Sequence, residues 1–303
     1  MKQNIKLTIL TPTYNRSQLL PRLFNSLREQ TIKEFEWLVI DDGSTDTTEE
    51  YMKNLPILDF PVYFYQKENG GKHTAINYAH QYIHGDSVLI LDSDDYLIPK
   101  AVEIVISDWE KYVNKYSIGV ISYEKKGIDG RIFSEKADVP DYYVDDEISF
   151  RVNQSVGGDR CEVIRANIFK KYSFPIHKNE KFMSEGWLWN NIAKEYLTVY
   201  RKSAIYVCEY LTDGLTKIGR KLRMESPLGM MEACKSFFLD SVCLKIQIKE
   251  MLLYCVYGFS SNLSITHWLK NSGRPVRVSI FLPLGWILYR YWKWKYSFTR
   301  SGD

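Results

Sequence analysis

Strand and helix signals alternate through the first 120 residues, and this alternation limits the chain to one class of fold. The strand signals are short β-rich runs, at residues 6–11, 34–42, 61–66 and 86–92. The helix signals are stretches with apolar residues at helical spacing or with a first-turn proline, at residues 17–30, 46–55, 72–83 and 99–113. Strands at this spacing with helices between them predict βαβ units and an α/β fold with a mostly parallel sheet.

Polar clusters follow three of the predicted strands. Thr11–Asn15 follows the first, Asp41–Asp46 the second and Asp92–Asp95 the fourth. Ligands of such sheets bind beyond the carboxyl ends of the strands, so we expect one site built from all three clusters. The structural alternative is that they are turn residues and helix caps.

The third cluster is the most constrained, because Asp92, Asp94 and Asp95 surround a single serine at the end of an apolar run. Carboxylates this close repel each other, and they are costly to bury. Hard oxygen ligands favour Mg²⁺ or Mn²⁺, which share their coordination shell with substrate phosphates. The triplet therefore predicts a divalent cation with a diphosphate; a solvated acidic turn is the alternative for Asp95 alone.

Two rival motifs fail on spacing. A phosphatase nucleophile loop needs an Asp two residues before the Asp-Gly pair, but Ile40 and Val39 precede Asp41 and Asp42. A Walker loop would need glycine at Gln66 and Ser or Thr at His73. The glycine pair followed by Lys72 remains able to approach an anionic ligand at a helix start, or to form a surface turn.

Composition excludes several other classes of protein. The chain of 303 residues is 45% hydrophobic and 25% charged, which is typical of globular proteins. A net charge of +3 gives no reason to expect a nucleic-acid partner. Five scattered cysteines without a C-x-x-C pair argue against a disulfide framework or a zinc site and fit a reducing cytosol. The N-terminal apolar run is too short for a signal peptide.

Beyond residue 124 the pattern is looser. We expect an acidic loop at 127–146, a turn and a helix at 156–175, a helix at 185–196 and a basic loop at 210–229.

Four segments occur in a specific order: TPTYNR, WLVIDDGSTD, NGGKHTAIN and LILDSDDYLIP. In this order and spacing they resemble the motifs of family 2 glycosyltransferases with the GT-A fold, across residues 5–120 and more weakly to about 220. The later segments are similar to those of bacterial surface-polysaccharide enzymes. The resemblance implies a Rossmann-like nucleotide-binding sheet, mixed but mostly parallel and flanked by helices.

The resemblance also implies a nucleotide-diphosphate sugar as donor. The residues it assigns to the donor are Pro12, Thr13 and Tyr14 around the base, Asp42 at the base or ribose, and Lys72, Asn77, Asp92 and Asp94 elsewhere in the site. Asp94 and Asp95 would hold Mg²⁺ or Mn²⁺. Which of the three aspartates touches the ion directly stays open.

Sugar transfer from a diphosphate needs one carboxylate as a base, because the metal-bound diphosphate leaves without a general acid. Direct displacement then inverts the anomeric centre. The candidate is Glu185 in FMSEGWLWNN, where the family commonly has a Glu-Asp pair and this chain has Glu185-Gly186. Trp187 could stack on a sugar face, or it could pack in the core while Glu185 only complements a helix dipole.

Two further residues are candidates for acceptor or diphosphate contacts. Asp159 follows two glycines and could orient a substrate or form a turn. Arg220 belongs to a basic stretch that could close over the diphosphate or remain solvated.

We therefore predict a GT-A domain over 1–225, with a nucleotide-sugar half at 1–120 and an acceptor half at 121–225. Residues 226–303 form a helical extension whose C-terminus is aromatic and basic. Between Arg277 and Arg290 lie only twelve uncharged residues, too few to span a bilayer but suited to its interface. Packing against the domain or a partner subunit is the alternative.

The predicted function is inverting, metal-dependent sugar transfer at the inner face of the cell membrane, by a peripheral cytoplasmic enzyme. Its acceptor is a glycan or a polyprenyl-diphosphate-linked glycan of surface polysaccharide synthesis. The alternative is an inactive scaffold protein that binds sugar nucleotides, which the missing acid at Gly186 would favour.

Overall fold

The computed structural model describes residues 5–134, 139–208 and 215–296, with residues 215–218 described by their backbone only. Nine strands form one sheet: β1 Leu7–Thr13, β2 Phe35–Asp41, β3 Val62–Gln66, β4 Ser87–Ile90, β5 Tyr96–Leu97, β6 Ile118–Gly127, β7 Tyr143–Asp145, β8 Arg160–Arg165 and β9 Leu197–Cys208.

The helices alternate with these strands and then continue alone. Their bounds are α1 Leu20–Arg28, α2 Thr48–Lys53, α3 Lys72–Ala79, α4 Ala101–Glu110, α5 Ala166–Phe169, α6 Gly186–Ile192, α7 Leu215–Glu225, α8 Pro227–Lys235, α9 Leu244–Ser260, α10 Ile265–Asn271, α11 Pro275–Ser279 and α12 Leu282–Tyr296. Short helical turns lie at His80–Tyr82 and Ile148–Asn153.

The alternation predicted for the first 120 residues is confirmed, each predicted strand and helix appearing within a few residues of its expected bounds. The expected helix at 185–196 is also confirmed as α6. The expected loop at 210–229 is wrong: its described part is helical, as α7 and the start of α8. In the segment 156–175, where a turn and a helix are expected, the helix is present as α5, but the segment also contains the strand β8, which the preceding glycines and its charges concealed.

The sheet order is β3-β2-β1-β4-β8-β6-β9-β5, with β7 also paired to β9. The first four strands of this order are parallel, as the βαβ alternation predicts. Strand β8 then inserts antiparallel between β4 and β6, and β9 runs parallel to β6. This arrangement brings the second half of the chain alongside the carboxyl end of β4.

Two apolar clusters cover the faces of the sheet. One contains side chains of α1 and α4 around Trp37, and the other contains side chains of α3, α5 and α6 around Leu38 and Phe169. The strands β1 and β2 are buried along their whole length, so their ends are fixed in position.

The C-terminal helices have an apolar cluster of their own, whose fully buried members run from Met224 to Trp292. Glu180 ties this unit to the sheet domain: its carboxylate accepts hydrogen bonds from the first-turn N–H groups of Leu228 and Gly229, both at 2.8 Å. The domain boundary at residue 225 stays a prediction. Within the described ranges, no helix combines the length and apolarity needed to cross a bilayer.

Candidate active site

A cavity of about 600 Å³ opens at the carboxyl ends of β1, β2 and β4. It brings together most of the residues predicted from sequence: Pro12, Thr13, Tyr14, Asp42, Lys72, Asp92, Asp94, Asp95, Asp159 and Glu185. The second half of the chain supplies Lys125, Lys181–Glu185, Cys208 and Leu222 to the same wall. The three polar clusters thus form one site, with residues of both halves facing each other across it.

Two lysines offset the acidic cluster. Lys72 Nζ forms an ion pair with Asp92, and Lys125 faces the same carboxylate from β6. Burial alone would raise the pKa of Asp92, but these ammonium groups outweigh it and lower the pKa below its usual value. Burial alone would lower the pKa of Lys125, and Asp92 reverses this, so the pKa is raised and the ammonium stays charged.

Asp95 is stabilised by a different group. It is buried, and the Tyr206 hydroxyl donates a hydrogen bond to its Oδ2 at 2.7 Å while accepting one from the Asp92 N–H at 3.0 Å. Burial, together with the neighbouring charges of Asp92 and Asp94, raises the pKa of Asp95 to about 7 against the effect of the Tyr206 hydrogen bond. Lys125 lies over the Tyr206 ring at 4.2 Å.

Lys72 also connects the donor side to the candidate base. The same Nζ lies 2.6 Å from Glu185 Oε1, so one ammonium group bridges Asp92 and Glu185. Burial opposes the charge on Lys72, but the two carboxylates raise its pKa above the usual value. Glu185 lies at the N-terminus of α6, and its side chain lines the cavity and is partly exposed.

Asp42 organises the glycine loop. It is buried, and its carboxylate accepts hydrogen bonds from Lys67 Nζ at 2.6 Å and from the N–H groups of Gly70 at 3.0 Å and Gly71 at 2.6 Å. These bonds place Lys72 at the start of α3. A contact between Asp42 and the base or ribose stays a prediction, since the hydrogen bonds to the loop use much of the capacity of the Asp42 carboxylate.

Two buried polar atoms near β1 have no hydrogen-bond partner among the described residues: Thr13 Oγ1 and His73 Nδ1. Both residues line the cavity beside Pro12 and the half-exposed Tyr14. Burial lowers the pKa of His73 to about 4, so its imidazole is neutral at physiological pH. A buried polar atom without a partner is costly, and a polar ligand would satisfy both.

Three predicted residues lie outside the cavity. The Asn77 amide exchanges two hydrogen bonds of 2.8 Å with the backbone of Phe174, and Trp187 packs on the Phe174 ring with centroids 5.5 Å apart. Arg220 stacks over the Trp292 ring at 4.1 Å. These contacts support structural roles for Asn77 and Trp187, and their substrate roles stay predictions.

Among the described residues, no three His, Cys, Asp or Glu side chains are arranged as a preformed metal cage. The residues nevertheless fit a cation that is bound together with phosphates, because Mg²⁺ is commonly held by only one or two carboxylates. Asp92 is paired with Lys72 and Asp95 with the Tyr206 hydroxyl, so the predicted assignment of the ion to Asp94 and Asp95 stays a prediction.

Sequence reasoning missed Lys125 and Tyr206. Lys125 stands in the polar run EKK, which is typical of a solvated strand end. Tyr206 lies in β9, where the run of Ile, Tyr and Val is typical of a strand but does not indicate a role in the site. Their place in the site depends on the pairing of β6 with β9, which is non-local.

The family model for glycosyl transferase family 2 matches residues 8–173, more than half of the chain. The chain belongs to this family. It is a glycosyltransferase, as the ordered motifs of the first 120 residues predicted.

Two similar proteins are named bacterial glycosyltransferases. A Campylobacter jejuni protein named GalNAc(5)-diNAcBac-PP-undecaprenol beta-1,3-glucosyltransferase is 28% identical over 76% of this chain and 73% of its own length. The Staphylococcus aureus poly(ribitol-phosphate) beta-N-acetylglucosaminyltransferase TarS is 32% identical over 42% of this chain, but that match covers only 22% of TarS.

Solved structures of family members share the fold. The crystal structure of residues 1–349 of S. aureus TarS superposes with a TM-score of 0.60 at 18% identity, covering 92% of this chain and 83% of the other. A Pyrobaculum calidifontis mannosyltransferase in complex with GDP-Man and Mn²⁺ superposes with a TM-score of 0.56 at 16% identity, covering 98% of this chain and 85% of the mannosyltransferase chain. The predicted GT-A fold, with its C-terminal helices, is confirmed.

Proposed function

We propose that this glycosyltransferase moves a sugar, with inversion, from a nucleotide-diphosphate sugar to an acceptor hydroxyl in a divalent-metal-dependent reaction. The observation that carries the proposal is the Lys72 bridge, which sets the acidic cluster of the donor side and the carboxylate of Glu185 in one cavity. The UDP, UDP-GlcNAc and GDP-Man complexes of the structural neighbours support a nucleotide-sugar donor.

The donor enters at the carboxyl edge of the sheet. Pro12, Thr13 and Tyr14 receive the base, and the unpartnered Thr13 hydroxyl gains a hydrogen bond there. Asp94 and Asp95 would hold Mg²⁺ or Mn²⁺, which would supply positive charge to the departing diphosphate. Lys72 and Lys125 supply fixed positive charge beside Asp92.

Glu185 removes the proton of the acceptor hydroxyl as the hydroxyl oxygen attacks the anomeric carbon. The bond from that carbon to the diphosphate oxygen breaks, and the nucleoside diphosphate leaves with its electron pair. Before the donor binds, Lys72 holds Glu185 and Asp92 together. The diphosphate then competes with Glu185 for the Lys72 ammonium, which frees the carboxylate to act as base.

The acceptor we propose is a lipid-linked glycan of surface polysaccharide synthesis, and the site of action is the inner face of the cell membrane. The name of the C. jejuni relative, which includes a PP-undecaprenol acceptor, supports this class. Asp159 is exposed and lines the cavity, and we assign it to the acceptor or the donor sugar.

Donor screening tests the proposal. We expect thermal shift with UDP-sugars or GDP-sugars to raise the unfolding temperature, and the shift to grow when Mn²⁺ is added. Release of nucleoside diphosphate from the stabilising donor should depend on the divalent ion and stop with EDTA. Stabilisation without any release or transfer would instead favour the scaffold alternative that Gly186 raises, and no stabilisation by any sugar nucleotide would contradict both.

Lys125→Met should weaken UDP binding by about 10- to 100-fold, because a charge-assisted contact with the diphosphate is worth about 1.5–3 kcal/mol. The affinity for uridine, which has no phosphate, should not change. Titration calorimetry of both ligands measures the difference. Lys126→Met is the matched control, since this adjacent strand residue lines a separate groove beside α1. Equal UDP affinity in the two variants would remove Lys125 from the donor site.

A further inference from the structure

Helices α11 and α12 present two different apolar sides. One side is buried in the C-terminal cluster through Val278, Gly285, Tyr289 and Trp292. The packing there is close: a Cβ added at Gly285 would lie 2.5 Å from Cys255 Cβ on α9. This contact fixes the rotation of α12 and therefore which side chains face outward.

The outward side carries six large apolar side chains in a row, here called the outer stripe: Val276, Ile280, Leu284, Ile287, Tyr291 and Trp294. Leu284, Ile287, Tyr291 and Trp294 are three or four residues apart and therefore share one side of α12. Val276 on α11 and Ile280 at its C-cap continue the same spacing. They are between 47% and 77% exposed. Single exposed apolar residues are common, but a continuous row of this length indicates a contact surface.

Positive charge borders the outer stripe. By helical position Arg277 and Lys295 flank one edge and Arg290 the other, and residues 265–296 contain no Asp or Glu. Arg290 lies over the Trp286 ring and Lys295 over the Tyr291 ring, each at 5.6 Å. Residues 297–303 lie outside the described residues.

These features favour a lipid surface over a second copy of the chain. In a symmetric dimer the outer stripe would meet itself, and the bordering cations would face like charges. An anionic bilayer instead offers acyl chains to the stripe and phosphates to the cations. We infer that the outer stripe lies in the interface of an anionic membrane, with Arg277, Arg290 and Lys295 at the level of the lipid phosphates.

Helix α7 relates this surface to the active site. Its Leu222 lines the donor cavity, and its Arg220 stacks on Trp292, which faces inward from α12. The cavity wall and the membrane-facing helix are thus joined within one turn of α7. For the acceptor class this inference rests on the proposed function, since a lipid-linked acceptor would be presented at the same surface.

Vesicle co-sedimentation of the full chain tests the inference. Wild type should pellet with vesicles containing phosphatidylglycerol and remain largely free with phosphatidylcholine alone. The double variant Ile287→Ser, Trp294→Ser should lower partitioning by about a hundredfold or more, because two large apolar side chains are no longer removed from water at the bilayer. Ile57→Ser is the matched control, since Ile57 is fully exposed elsewhere on the molecule and should have no effect.

Two outcomes would overturn the inference: wild type that does not pellet with anionic vesicles, or a double variant that pellets like wild type. Light scattering adds a third, because a dimer that the double variant converts to monomer would assign the stripe to self-association. Thermal unfolding of both variants should match wild type, as the changed side chains are exposed. Donor-dependent stabilisation is measured without vesicles, so its failure would contradict the proposed function and leave the vesicle result to decide this inference.

Discussion

Replacing Glu185 by glutamine is expected to lower the rate of sugar transfer by a factor of about 10²–10⁴, the usual contribution of a general base. Glutamine keeps the size of the side chain and can still accept a hydrogen bond from Lys72, but it cannot take up the proton of the acceptor hydroxyl. The rate of product formation at saturating donor, measured with the donor and acceptor found by screening, gives the effect directly.

The controls separate chemistry from binding. The UDP affinity of the Glu185→Gln variant should be retained or increased, because the diphosphate then meets no carboxylate of Glu185 competing for Lys72. Glu110→Gln removes an exposed carboxylate at the end of α4 and should leave the rate unaffected. Wild-type turnover by Glu185→Gln would exclude this residue as the base and return attention to Asp159, the other carboxylate of the acceptor half that lines the cavity.

Gly71→Ala is expected to have the largest effect on stability. Gly71 has φ of +95° and ψ of 158°, a backbone conformation that is essentially restricted to glycine. An added Cβ would also overlap the carbonyl oxygen of Lys181 and lie only 2.7 Å from its carbonyl carbon. Backbone strain and overpacking together should cost at least about 3 kcal/mol, and displacement of the loop should weaken donor binding as well.

Gly130→Ala is the matched control for this prediction. Gly130 also has a positive φ, of +79°, but no atom lies within 4 Å of an added Cβ. The cost at Gly130 comes only from the left-handed backbone conformation, which should lower the free energy of unfolding by about 1–2 kcal/mol. Urea unfolding of both variants measures the two costs, and donor binding should be unchanged in Gly130→Ala. Equal losses of stability would mean that the contact with Lys181 is not a constraint on the loop.

The first half of the fold could be predicted because each of its strands and helices has a recognisable pattern within its own short stretch of sequence. Each strand of the parallel part is a short apolar run such as LTILT, and each is followed by a helix with its own apolar spacing. All parallel strands of such a sheet end at the same edge. The clusters at Thr13, Asp42 and Asp92 therefore meet there, as the alternation of strands and helices predicts.

The second half could not be predicted in the same way. Strand β9 pairs with β5, β6 and β7, and these partners are separated from it by about 50 to 110 residues. Lys125 and Tyr206 reach the acidic cluster only through this pairing. The charges of the basic stretch before residue 225 predict a loop, but the stretch forms α7, which buries Met224 and exposes Arg220.

The position of α7 has a thermodynamic consequence. Leu222 of α7 lines the cavity and Arg220 of α7 contacts α12, so a bilayer bound as inferred for α12 and a nucleotide bound as proposed for the cavity would both act on α7. Free energies that couple two binding events are reciprocal: if lipid tightens the hold on the nucleotide, the nucleotide tightens the hold on lipid by the same factor. With such coupling, the enzyme would bind the membrane more tightly while it holds a nucleotide-sugar and would dissociate from the membrane more readily after the product has left.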